Sequence, residues 1–168
     1  IYPDVYAAPT PEMPDPLGIQ IGDTNTSLGF HTETQHQNAI NLSGQDPAGF
    51  YSLVQTIGGA PIANVPESDH GHELAYIMGV ESSMNLYSKR ISAVFNAGTN
   101  QGAYPNTSFA AQLKTVARMI RGGSKTKIFL CQLGGFDNHN NQVDQADTSN
   151  GTHAVLLKTL SDAMKAFF

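Results

Sequence analysis

The 168-residue chain is poor in charge, in cysteine and in long apolar runs, and it has no tryptophan. Only 14% of its residues are charged, and the formal net charge is −5. This acidic balance, without a cluster of Lys or Arg, argues against a nucleic-acid partner. No apolar run is long enough to predict a transmembrane helix. The single cysteine excludes an internal disulfide framework and a cysteine-based zinc cage.

Uncharged polar side chains compensate for the scarcity of charge, because the chain contains 12 Asn and 10 Gln. Few cytosolic domains carry so little charge, and we therefore expect an exported protein. The chain begins at Ile1 without an initiator Met or a signal-peptide pattern, and it ends at Phe168 on the apolar face of a predicted helix. These two ends indicate a mature protein or an internal fragment.

The distribution of turn-forming residues divides the chain into a loop-rich part, 1–66, and a more regular part, 67–168. Five of the nine prolines lie close to the start, where they favour extended surface chain. Alternation of apolar and polar residues predicts short strands at 19–21, 28–36 and 40–42, the last two pairing with each other.

Capping residues and helical spacing predict four helices. Asp46 and Pro47 indicate one helix start, because Asp caps free N–H groups and Pro suits the first helical position. Apolar stripes predict the other three helices at 68–96, between 106–108 and Gly122, and from about 150–152 onwards.

A short apolar run, IFLCQL at 128–133, predicts a strand over 126–133. A strand of this composition is expected to be buried on both faces, as in a parallel sheet flanked by helices. The order helix–helix–strand–helix over 67–168 is typical of an α/β domain. We therefore expect a single α/β domain or an internal fragment of a larger one.

The sharpest chemical feature is LGGFDNH at 133–139, directly after this predicted strand. Ligands gather at the carboxyl ends of strands in α/β sheets, and paired glycines let the backbone turn sharply. Asp137 and His139 would supply one oxygen and one nitrogen ligand, which suit Zn, Mn or Fe better than Ca. His153, at the start of the last helix, is near enough in sequence to join them. The alternative is that Asp137 caps a turn and that both histidines are ordinary polar side chains.

Other residues of interest are better explained by structural roles. The segment DHGHE at 69–73 lacks the i, i+4 spacing that places two His on one helical face. Cys131 lies within the apolar run, where we expect a small buried hydrophobe rather than a nucleophile. The chain contains no nucleophile elbow, phosphate-binding glycine loop or zinc-protease motif, so the catalytic residues stay unassigned.

Several short segments occur together and in a fixed order: MPDPLGIQIG at 13–22, YPN at 104–106, AQLKTVA at 111–117, LGGFDNH at 133–139 with Gln142, HAVLL at 153–157 and LSDA at 160–163. As a set they resemble an exported bacterial family, catalogued as domain of unknown function 1501, of the alkaline phosphatase-like superfamily. The resemblance covers 13–168 and matches the central segment of that family. It implies an exported protein with a three-layer α/β fold and a periplasmic, cell-surface or secreted location.

The resemblance also implies a metal site. In alkaline phosphatase-like folds, an Asp at a strand end and a later His bind one metal of a two-metal site. Asp137 and His139 match those positions, with Asn138 where the family usually has Thr. The family's nucleophile would precede Ile1, and a later Asp-His-Gly segment would follow Phe168.

These observations lead to the hypothesis of a metal-dependent hydrolase of phosphate or sulfate esters, of which this chain is one part. A divalent metal (Zn, Mn or Fe) would bind Asp137 and His139, with His153 as an outer partner. The expected partners are the remaining segments of the same protein or a second copy, because the predicted helical faces at 109–120 and 154–167 need cover.

Two alternatives belong to other functional classes. The chain could be a non-catalytic cell-surface or assembly protein that keeps the fold without the chemistry, because fold alone does not fix function. It could also be a carbohydrate-binding module. The six Tyr favour this alternative, and the lack of Trp argues against it.

Overall fold

The computed structural model describes residues 14–22, 39–42, 44–57, 67–140 and 142–168. Within them lies a three-stranded parallel sheet formed by β1 (Gly18–Ile21), β2 (Ala39–Asn41) and β3 (Ile128–Cys131). The strand order is β2-β1-β3, so β1 is central and pairs with both neighbours. The predicted α/β class with a parallel strand near 126–133 is therefore confirmed.

The position of β3 corrects one part of that prediction, because β3 is not buried on both faces. Ile128 and Leu130 are 48% and 36% exposed, whereas Phe129 and Cys131 pack against the core. Within the described residues β3 has β1 as its strand partner and lies at the edge of the sheet. The strand buried along its whole length is β1, whose sequence is GIQI.

The short strands predicted near the start of the chain are confirmed in part. Segment 19–21 lies in β1, and segment 40–42 begins within β2. β2 pairs in parallel with β1, and Leu42 extends this pairing by donating its N–H to the carbonyl oxygen of Gln20 at 3.0 Å. The predicted strand at 28–36 lies outside the described residues, as does most of the proline-rich start.

Three of the four helices in the described ranges begin beside a capping side chain, and the last follows Gly151, which has none. The helices are α1 (Pro47–Ile57), α2 (Asp69–Ala97), α3 (Ser108–Arg121) and α4 (Thr152–Phe167). Asp46 caps α1 by accepting a hydrogen bond from the N–H of Gly49 at 2.7 Å. Ser68 and Thr107 cap α2 and α3 in the same way through their hydroxyl oxygens. The predicted helices are therefore confirmed to within a few residues at the ends that the structure describes.

Two apolar clusters hold these elements together. The larger cluster joins all three strands to α1, α2 and α3, with the following buried members: Ile19, Ile21, Ile40, Leu42, Phe50, Val54, Tyr87, Ile91, Val94, Val116 and Met119. The smaller cluster joins α3 to α4 around Phe109, Ala110 and Ala163. Cys131 at the end of β3 contacts both clusters, so the carboxyl end of β3 lies where the two meet. No helix in the described ranges is long and apolar enough to cross a membrane.

Candidate functional site

The strand order places a topological reversal between β1 and β3. The chain runs from β1 to β2 on one side, and β3 later joins β1 on the other side. Crevices for ligands open at the carboxyl ends of strands at such reversals. Ile21 and Cys131 form the last pair of the ladder, so Gly22 and Gln132 are the first residues beyond it. The segment with Asp137 and His139 leaves the sheet from this point.

Glycine shapes the start of this loop. Gly135 adopts φ +94°, a left-handed conformation that glycine adopts without a steric penalty. An added Cβ at Gly135 would lie 3.5 Å from a methyl carbon of Leu156, so the side chain of Leu156 on α4 lies close to the loop here. Asn138 then closes a tight turn by donating its N–H to the carbonyl oxygen of Phe136 at 2.9 Å.

Asp137 and His139 face each other on this turn. Their Oδ1 and Nε2 atoms are 2.9 Å apart, and the two side chains are 88% and 86% exposed. A carboxylate oxygen and an imidazole nitrogen at this separation could bind one metal ion, and the donor types fit Zn, Mn or Fe. Because both side chains are open to solvent, further ligands or a substrate could reach the same ion. The sequence spacing of these two residues therefore corresponds to a real spatial pair.

His153 lies nearby but is not placed as a third ligand. It occupies the first turn of α4, and its ring packs edge-on against Phe136 with 5.9 Å between ring centroids. Its backbone N–H donates to the carbonyl oxygen of Gln142 at 3.2 Å, which ties the loop to α4. Among the described residues, no group of three or more His, Cys, Asp or Glu side chains could hold a metal ion together. The structure thus brings Asp137 and His139 together and places His153 beside Phe136.

Two carboxylates later in the loop form local turns. Asp144 accepts a hydrogen bond from the N–H of Ala146 at 2.8 Å. Asp147 accepts from both the hydroxyl and the N–H of Ser149, and these hydrogen bonds lower the pKa of Asp147 below its usual value. Hydrogen bonding to the ionised form explains the direction of this change. Both side chains therefore fix the shape of the loop.

Cys131 is a free, partly buried thiol at the end of β3. Burial raises the pKa of its thiol to about 11, so the thiol is protonated at neutral pH. Its contacts with both apolar clusters agree with the expected role of a small hydrophobe. The DHGHE segment at 69–73 likewise lies in the first turns of α2, where His70 and His72 are exposed.

Gln112 of α3 is a residue of this region that the sequence did not single out. It is 5% exposed, and its side-chain amide exchanges two hydrogen bonds with the backbone of Gln132. The sequence does carry a sign of this role, because Gln112 is a polar residue on the otherwise apolar face of α3 that Phe109, Val116 and Met119 define. A buried Gln at such a position must find hydrogen-bond partners, because unsatisfied buried amides are costly.

Comparisons of the chain with protein-family models, with curated proteins and with solved structures gave no match. The fold and the site themselves define an α/β protein with a carboxylate–imidazole pair on the loop that follows an edge strand.

Proposed function

We propose that this chain is part of an exported, alkaline phosphatase-like hydrolase that uses a divalent metal to act on phosphate or sulfate esters. The observation that carries the proposal is the Asp137–His139 pair, with 2.9 Å between Oδ1 and Nε2, beyond the carboxyl end of a parallel strand. The set of family-like segments supports the same class of protein. The alkaline phosphatase-like fold and the exported location are part of the same proposal.

The two side chains would act as ligands, and each contributes a different property. Asp137 offers a negative oxygen that attracts a divalent ion, and His139 offers a neutral nitrogen that favours transition metals. A bound ion would act as a Lewis acid on an ester oxygen. Two donors leave several coordination positions free, so the remaining protein ligands and the nucleophile would come from other segments of the same protein. Asp137 and His139 therefore serve to bind and orient the ion.

Metal binding should depend on this pair. We expect the chain to bind Zn²⁺ or Mn²⁺, and Asp137→Asn or His139→Gln to weaken the affinity at least about tenfold, because each removes one direct ligand. Calorimetric titration measures this change. Asp162→Asn and His72→Gln are the matched controls, because these side chains reach solvent and belong to α4 and α2 rather than to the loop. Equal dissociation constants in all five proteins would contradict the proposed site.

One observation favours a second candidate function, in which the chain serves assembly rather than catalysis. Ile128 and Leu130 on β3 are exposed, and so are Val155 and Leu157 on α4. Where exposed apolar side chains form one contiguous patch, they typically mark a surface that binds another protein. Failure of the metal titration, together with self-association in analytical ultracentrifugation, would favour this second function.

A further inference from the structure

Gln112 connects α3 to the point where the candidate site loop leaves the sheet. Its Nε2 donates to the carbonyl oxygen of Gln132 at 2.9 Å, and its Oε1 accepts from the N–H of Gln132 at 2.7 Å. The amide nitrogen and the amide oxygen of Gln112 are therefore both hydrogen-bonded to the backbone of the same residue, Gln132. This is the hydrogen-bonding pattern that a neighbouring strand would provide.

The side chain takes the place of the next residue of β1. The β1–β3 ladder ends at the pair Ile21 and Cys131, and Gly22 then turns away with φ +89°. A Cβ at Gly22 would overlap the Gln112 amide, so the amide occupies the space directly beside Gly22. Gln112 thus fills the gap between the separating strands and continues the pairing of β3 by one residue.

We propose that Gln112 is a positioning residue that fixes the departure of the loop carrying Asp137 and His139. The inference rests on the proposed function where it concerns metal affinity. Gln132 is held by Gln112 at the start of the loop, and Phe136 further along packs edge-on against His153 of α4. A loop restrained at these points loses less conformational freedom when the metal binds. Without the hydrogen bonds from Gln112, metal binding must also order the loop, and the affinity for the metal is lower as a result.

Two substitutions separate the parts of this interaction. Gln112→Met keeps the length of the side chain and removes both hydrogen bonds. Gln112→Glu keeps the acceptor for the Gln132 N–H and loses the donor to its carbonyl oxygen, so it provides a second variant if Gln112→Met does not fold. Val116→Ala is the control, because Val116 lies on the same helix and packs in the larger cluster.

Hydrogen exchange measured by NMR and Zn²⁺ titration provide two independent readouts. We expect Gln112→Met to speed exchange of the Gln132 amide at least about tenfold, because its acceptor is lost. We also expect it to weaken Zn²⁺ affinity about threefold to tenfold, because the loop is less ordered before binding. Val116→Ala should lower the melting temperature but leave Gln132 exchange and Zn²⁺ affinity unchanged. Gln112→Glu should retain much of the protection of the Gln132 amide and still weaken Zn²⁺ affinity.

Specific outcomes would overturn the inference. Unchanged Gln132 exchange in Gln112→Met would show that the side chain does not hold the loop. Equal losses of Zn²⁺ affinity in Gln112→Met and Val116→Ala would show a general effect of stability. If the unsubstituted chain binds no Zn²⁺, the proposed function fails. Faster exchange confined to residues 132–140 in Gln112→Met would then still support the positioning role.

Discussion

Replacement of Asp15 by Ala is expected to lower the free energy of unfolding by about 2–4 kcal/mol. The Asp15 side chain is 1% exposed, and its carboxylate accepts hydrogen bonds from Arg90 Nε at 2.9 Å and from the Lys125 N–H at 2.8 Å. Arg90 Nη2 adds a longer bond of 3.3 Å to the second carboxylate oxygen. Removal of the carboxylate leaves a guanidinium and a backbone donor without this partner.

The position of Asp15 explains why the effect should be large. The residue precedes β1, Arg90 belongs to α2, and Lys125 follows α3, so one carboxylate joins three parts of the fold. Nearby Tyr87 is affected as well, because burial raises the pKa of its hydroxyl and the charge of Asp15 raises it further. Asp15 therefore has a clear structural role in holding the chain before β1 against α2 and the end of α3.

Urea unfolding of Asp15→Ala and a control variant tests this prediction. In the control Asp162→Ala, the lost carboxylate pairs with Lys158 at an exposed site on α4. We expect the control to change the free energy of unfolding by less than about 1 kcal/mol, because exposed ion pairs contribute little. The double variant Asp15→Asn with Arg90→Met should have a higher free energy of unfolding than Asp15→Ala, because the Arg90 charge is then no longer left without the Asp15 carboxylate. Equal stability of Asp15→Ala and Asp162→Ala would contradict the assigned role.

Gly122→Ala is expected to lower the free energy of unfolding by about 3 kcal/mol, through a steric clash. The carboxyl ends of α2 and α3 meet so closely that a Cβ at Gly122 would overlap the carbonyl oxygen of Val94. The contact is reciprocal, since a Cβ at Gly98 would overlap the carbonyl oxygen of Arg118. Both obstacles are backbone atoms, so no side-chain rotation can relieve them. The φ of Gly122 is −77°, and the expected cost therefore comes from packing rather than from backbone strain.

Thermal unfolding of Gly122→Ala against Gly134→Ala measures this effect. Gly134 has open space around its Cβ position within the described residues, and its φ lies outside the left-handed region. Ala at this position should leave stability unchanged or raise it by about 0.5 kcal/mol, because the unfolded chain loses freedom. A similar melting temperature in the two variants would show that α2 and α3 are less closely packed than the structure indicates.

The elements that the sequence predicted well are those with local causes. Asp46 and Pro47 define the start of α1, and α2 begins and ends within one residue of the predicted range 68–96. In both cases a capping residue and an apolar stripe, which are local features of the sequence, define the helix. The Asp137–His139 pair was predicted for the same reason, because two residues on one tight turn are close in space.

The elements that were not predicted depend on contacts between distant parts of the chain. Strand order decides that β1 is central and β3 lies at the edge, although IFLCQL at 128–133 is the more apolar run. Gln112 acquires its role only when α3 brings it to Gln132. The close approach of Gly98 and Gly122 likewise depends on the packing of two helices, whereas the sequence indicates Gly122 only as a helix end. His153 was grouped with Asp137 by sequence proximity, but its ring packs on Phe136.

We propose that Asp137 binds the metal of an ester hydrolase, and an activity assay tests this role most directly. The measurement is hydrolysis of p-nitrophenyl phosphate and p-nitrophenyl sulfate, with and without added Zn²⁺ or Mn²⁺, by the protein of which we propose this chain to be a part. We expect metal-dependent hydrolysis of one of these esters, which Asp137→Ala abolishes and Asp162→Ala retains. Hydrolysis by Asp137→Ala at the rate of the unsubstituted protein would contradict it.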